Sequence, residues 1–230
     1  MNFISLEDLK NKKRLYCFIA VIGATQFLII TIVAMFFYPG GYSFWTDHFS
    51  TLGLINSHVS SPLPGVPNMI SFMLFITTLT IAGVTFLPLW IVIPSYFKEK
   101  KEIYVLSHVG SACSIASSFF LIGIGIFPAD VFPYPHVIAA VWFFLSLCCG
   151  IFVYSIIQLM NDTFPTYLSI MGFIVGIFGV LYTFGLATGI FGGMFGLIDA
   201  ILQKLTVYGF ISWIIIHSIK IWQMDGPENI

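Results

Sequence analysis

Charge is scarce in this chain. Of its 230 residues only 8% are charged, where a soluble domain carries roughly a quarter. So little charge cannot cover a water-facing surface, which excludes an ordinary soluble fold. The formal net charge of −1 lacks the basic footprint of a nucleic-acid binder, so no nucleic-acid partner is expected. Cysteine is equally uninformative about redox compartment. Cys17, Cys113, Cys148 and Cys149 all lie inside apolar blocks, with no C-x-x-C and no paired loop cysteines. They read as buried free thiols acting as small apolar residues. No H-E-x-x-H, no H-x-x-x-H and no other fixed ligand spacing occurs, so no cofactor is expected and no metal ligand is assigned.

What is present is apolar: 58% hydrophobic and 17% aromatic residues, gathered in long blocks as in membrane proteins. The blocks predict six helical spans, at about 15–38, 69–96, 103–127, 136–160, 166–187 and 200–222. Backbone groups in lipid must be satisfied within the segment, so the spans are helices. Lys10, Lys12, Lys13 and Arg14 precede the first block like a signal-peptide start. The block is about twice the usual signal core and lacks a small-x-small cleavage site, so it reads as a retained span. Residues 1–14 form a polar lead, either an interfacial helix or a tail; 15–222 form the membrane domain, and 223–230 a polar tail.

Between the first two spans runs a loop rich in Gly, Ser and Pro, whose Pro62, Pro64 and Pro67 exclude a helix interior. Pro88 is a candidate kink in span two. Asp199 reads as the N-cap of span six. Eight of the nine basic residues fall on the side of the termini and the 98–102 turn, and only Lys204 on the other. The positive-inside rule then places both termini in the cytoplasm and the loops 39–68, 128–135 and 188–199 outside. The fold class expected is all-α, a polytopic six-transmembrane helix bundle in the cell membrane.

Ser107, Ser111, Ser114 and Ser118 share one face of span three, and Gly172, Gly176, Gly179 and Thr183 one face of span five. Such faces let helices approach closely. A polar pathway along span three is the alternative, disfavoured because spans one, two, four and five carry no midspan acid or base. His108 and His217 read as lone, interface-level or satisfied histidines. Trp90, Trp213 and Trp222 fit either interfacial belts or packing.

Seven ionisable residues gather on the expected outer side: Asp47, His48, His58, Asp130, His136, Asp199 and Lys204. Convergence of Asp47, His48, Asp130 and His136 above the bundle would suit a polar headgroup, a general base, or a divalent metal. The plainer reading is that turns and helix starts favour such residues anyway. Lys204 reads as snorkelling or pairing with an acid from another loop.

The runs Tyr38-Pro39-Gly40-Gly41-Tyr42, Asp47-His48-Phe49-Ser50-Thr51-Leu52-Gly53 and Pro67-Asn68 carry a resemblance. So do Gly123 to Asp130, His136, Ala139-Ala140 and Phe143-Phe144. Over about 15–222 the chain resembles the uncharacterised prokaryotic membrane family called domain of unknown function nine-nine-eight. It is more distantly similar to DRAM and Frag-type membrane proteins. The resemblance implies a six-helix bundle with polar residues near the outer loops, implies no established activity, and marks Ser50, Gly53, Asn68, Asp130 and His136 as positions to test. Thr51-Leu52 stands where that family commonly has an acid, which weakens transfer of an acidic role.

Three functions follow as expectations. The leading one binds or organises lipid, a lipid headgroup or a membrane-protein partner, with Asp47, Ser50, Asn68 and Lys204 as binding groups. The second is a lipid hydrolase at the outer interface, with or without a divalent metal, using Asp130, His136 and His48 in catalysis. A small-solute transporter is least favoured.

Overall fold

The computed structural model describes residues 6–58, 61–189 and 196–224; the side chains of 6–11, 196 and 197 lie outside that description. Six helices account for nearly all of it: α1 (Leu6–Phe36), α2 (Met69–Val92), α3 (Lys101–Ile126), α4 (Pro133–Leu159), α5 (Thr166–Thr188) and α6 (Gly196–Met224). Each is long and apolar enough to cross a membrane. Among the described residues the only β pairing is one bridge, Asn56 with Pro67.

The expected spans are recovered with small shifts at their ends. Residues 6–14 continue α1 without a break. α2 runs helical through Pro88 and tightens into a 3-10 turn at Ile93–Tyr96. α4 begins at Pro133, where proline's fixed φ suits a first helical position. That places His136 inside its first turn. α6 begins at Gly196, so Asp199 sits within the first turn and is not the N-cap. Residues 1–5, 190–195 and 225–230, which include most of the glycine-rich connection and the polar tail, are not described.

The helices form a closed ring in chain order. Each packs against its chain neighbours, and α1 closes the ring against α6. One end carries the loop 37–68 and is called the loop end; the other carries the Lys98–Lys101 turn and is the basic end.

Close helix contact follows the small residues. Ser107, Ser111, Ser114, Ser117 and Ser118 are all buried on α3. A Cβ on Gly150 of α4 would stand 3.1 Å from the Gly110 carbonyl oxygen of α3 and would collide with the Ser114 hydroxyl. Glycine at 150 is therefore a condition of this crossing.

Towards the basic end an aromatic column ties α2, α4 and α6. Trp90 stacks on Tyr154 at 6.4 Å, Tyr154 on Trp213 at 6.3 Å, and Trp213 meets His217 edge-on at 4.5 Å. Hydrogen bonds fix its register. Trp90 Nε1–H donates to Ser118 Oγ at 3.1 Å, Ser111 and Tyr154 share a hydroxyl bond of 2.8 Å, and Gln158 Nε2 lies 3.1 Å from His217 Nε2. Trp90 and Trp213 are thus packing residues and not belt residues. Trp222 lies at the basic end under the Arg14 guanidinium, 5.1 Å from its ring centre.

Candidate functional site: a capped apolar cavity

The first loop builds a lid by folding back into the bundle. After α1 the chain turns at Gly40 and Gly41, with φ of +79° and +88°, a region glycine enters without steric cost. The turn sends the Tyr38 side chain inward, where its hydroxyl accepts the His58 N–H at 2.9 Å. Asp47 then closes its own turn: Ser43 N–H donates to Asp47 Oδ2 at 2.8 Å, and Tyr42 donates to the Asp47 carbonyl at 3.0 Å. Burial pushes the Tyr38 and Tyr42 phenols above their usual pKa, and the nearby Asp47 carboxylate adds to both shifts.

Next, a 3-10 turn at Phe49–Gly53 dips into the helix ring, burying Phe49, Leu52 and Gly53. A dipping turn must find partners for its backbone polar groups. Asn68, the residue preceding α2, supplies two: its Nδ2 donates to the carbonyls of Leu52 at 3.1 Å and Leu54 at 2.9 Å. Asp130 of the second loop holds the residues that follow. Its carboxylate accepts the Ile55 N–H and the Asn56 N–H, each at 3.0 Å.

Three consecutive loop residues are clipped by the first three turns of α6. The Asp47 carbonyl accepts from Lys204 Nζ. His48 Nε2 meets Asp199 Oδ2 at 2.8 Å. Phe49 N–H donates to Gln203 Oε1 at 2.7 Å, while Gln203 Nε2 donates to the Tyr182 hydroxyl at 2.9 Å. Lys204 is only 3% exposed. Its ammonium lies 5.3 to 5.7 Å from the ring centres of Phe44, Tyr42 and Phe49, so aromatic faces replace part of its hydration. It is buried and does not snorkel, and among the described residues its ammonium takes the backbone carbonyls of Asp47 and Ala200 and no carboxylate.

Beneath this lid, on the ring axis, lies a cavity of about 70 Å³. Its walls are apolar, with Leu79, Phe86, Leu121, Phe143, Leu147 and Phe210 among them. Ser50, Gln203 and His136 contribute polar groups, as do Ser117 and Ser118 of α3. His136 Nδ1 lies 2.7 Å from the Phe127 carbonyl. A carbonyl only accepts, so Nδ1 carries the proton, and Nε2 is the acceptor when the ring is neutral.

The expected site residues therefore separate into three jobs. His48, Asn68, Asp130, Asp47 and Lys204 shape the lid or its clasps, Ser50 sits in the lid turn and lines the cavity, and His136 borders the cavity from α4. No two of Asp47, His48, Asp130 and His136 are hydrogen-bonded to one another among the described residues. Nor do three His, Cys, Asp or Glu side chains gather there in reach of one metal. The partner of His48 is Asp199, which sequence reading treats as a cap. Gln203 and Tyr182 carry no expectation from the sequence. The available signal was Asp199 and Gln203, four apart and hence on one helical face at the start of an otherwise apolar span.

The fold and site define a six-helix integral membrane-type protein with a loop-capped, largely apolar cavity. Residues 21–220 match the family model described as Protein of unknown function (DUF998), and the chain belongs to that family. No curated protein and no solved structure matches it, so the more distant likeness to DRAM and Frag-type proteins has no match behind it.

Proposed function

We propose that the protein holds the apolar end of a lipid-class molecule in the cavity on its ring axis. The observation that carries this reading is the cavity itself: apolar walls drawn from α1, α2, α3, α4 and α6, with Ser50, His136 and Gln203 as polar groups among them. Such a distribution favours burial of hydrocarbon and gives a polar atom of the ligand a few fixed partners. A void of about 70 Å³ accepts a short stretch of chain, so the remainder of the ligand stays in the bilayer or reaches the lid. In this reading the protein is a multi-pass protein of the cell membrane, both termini are cytoplasmic, and the lid faces outward. Native mass spectrometry of protein extracted in mild detergent tests it. Retained lipid is expected on the native chain and its loss on Ala140→Leu, which fills the void. Equal retention by both contradicts the reading.

A second reading, hydrolysis of a lipid ester at the outer interface, draws on the His48–Asp199 pair. That pair orients an imidazole that remains partly exposed, with 30% of its side chain reachable by solvent. His48 is then the general base, with Asp199 fixing its ring. Asp130 is committed to two backbone N–H groups and His136 to a carbonyl, so neither is placed as the base. Turnover of an ester lipid that His48→Gln leaves intact would eliminate this reading.

A further inference from the structure

Two of the four cysteines are not buried, contrary to the sequence reading. Cys113 of α3 is half-buried and Cys149 of α4 exposed, with their sulfurs 3.4 Å apart. The small-residue crossing explains the proximity. Cys113 immediately precedes Ser114, and Cys149 immediately precedes Gly150, where the helices come so close that a Cβ on residue 150 would meet the Ser114 hydroxyl. The thiols therefore stand side by side at the edge of the crossing. Both lie near the middle of their helices, Lys101–Ile126 and Pro133–Leu159. The exposed face of a spanning bundle at that depth meets acyl chains and not water. Cys148, next in line, is buried, as is Cys17 of α1.

We propose that Cys113 and Cys149 form a redox modification site, a thiol pair that an acyl hydroperoxide within the bilayer converts to a disulfide joining α3 to α4. Cys149, the more exposed, attacks the terminal peroxide oxygen. An S–O bond forms, the O–O bond breaks, and the alkoxide leaves with the thiol proton as an alcohol. The Cys113 sulfur then attacks the Cys149 sulfenic acid. The S–S bond forms, the S–O bond breaks, and the hydroxyl leaves as water with the second thiol proton. One hydroperoxide is reduced by two electrons to alcohol and water while two thiols become one disulfide. The sulfurs must close by about 1.4 Å to reach bonding distance, since an S–S bond is about 2.05 Å. Charged, hydrated oxidants do not enter hydrocarbon, which selects a neutral oxidant that dissolves in the lipid phase. This chemistry does not depend on what the cavity holds. Its consequence reaches the cavity, because Ser117, one turn from Cys113, and Leu147, two residues from Cys149, both line it.

The test uses the full chain in vesicles of unsaturated phosphatidylcholine, treated with linoleic acid hydroperoxide and mapped by non-reducing peptide mass spectrometry. The expected result is a Cys113–Cys149 linked peptide with loss of two hydrogens from the intact mass. Cys148→Ser should behave like the native chain, and Cys113→Ser should accumulate a dimedone-reactive sulfenic acid at Cys149. A native chain that stays fully alkylatable at both thiols overturns the proposal. So does a link made through Cys148, or a link formed equally fast with membrane-impermeant tetrathionate.

Discussion

His136 and His217 are buried imidazoles at opposite ends of one bundle, and their surroundings differ in kind. His217 is fully buried and walled by Trp213, Tyr154, Phe164 and Gln158. His136 borders a void. The basic end uses polar side chains to fix the register of tightly packed helices, one helix directly to the next. The loop end spends its polar side chains on the backbone of an inserted loop, and that loop roofs a space the helices do not fill. The same residue types thus seal one end and leave a receptive interior at the other. The difference lies in whether aromatic rings or a folded-back loop supply the partner surface.

The comparison breaks most visibly at Trp213. Trp213→Ala empties the column and is expected to cost about 3–5 kcal/mol, read as a large drop in thermal unfolding temperature in detergent. The matching change at the loop end, Ala140→Leu, fills a void and should leave that temperature nearly unchanged. Comparable losses at both sites would mean that the two ends are equally packed. Asn68→Ala comes next, at roughly 1–3 kcal/mol. It leaves the Leu54 carbonyl without its side-chain donor, whereas Leu52 keeps the Ser71 hydroxyl at 3.2 Å.

A smaller effect, about 1 kcal/mol or less because the clasp is exposed, is expected for Asp130→Asn. Its amide accepts fewer N–H bonds than the carboxylate, so exchange of the Ile55 and Asn56 amides should quicken while helix amides stay protected. Global loss of protection would show that Asp130 does more than clasp the loop.

The smallest effect is one of pH. Tyr38 and Tyr42 titrate above their ordinary value of 10.0 in the folded chain. The folded state then holds these protons more tightly than the unfolded chain. The stability this brings is complete below about pH 10 and declines as pH climbs past it. Lid loosening above pH 10, followed by tyrosine absorbance and proteolysis of the loop, should be weaker in Tyr42→Phe.

The bundle was legible because lipid imposes a simple code. Long apolar runs, the charged turn around Lys98–Glu102 and the prolines at 62, 64 and 67 bounded the helices to within a turn or two at most ends. The serine face of α3 likewise announced its burial. The site was legible only as a list of polar residues. Asp47, His48, Asp130 and His136 stand out in the sequence and their partners do not, because a hydrogen bond between residues 151 apart, His48 and Asp199, leaves no local pattern. Backbone partners are harder still. Nothing in the sequence says that Asp130 will hold the N–H groups of Ile55 and Asn56, or that Lys204 will turn inward among Tyr42, Phe44 and Phe49.

The claim that a lid closes over a space for an apolar chain is tested most directly by photolabelling in native-like vesicles. The probe is a fatty acid carrying a diazirine near its terminal methyl, with labelled residues mapped by mass spectrometry. The account predicts adducts on inward residues of the ring axis, Leu79, Leu121, Phe143 and Val207, and their loss in Ala140→Leu. Adducts confined to exposed positions such as Val109, Ile138 and Ile174, unchanged by that substitution, would contradict it.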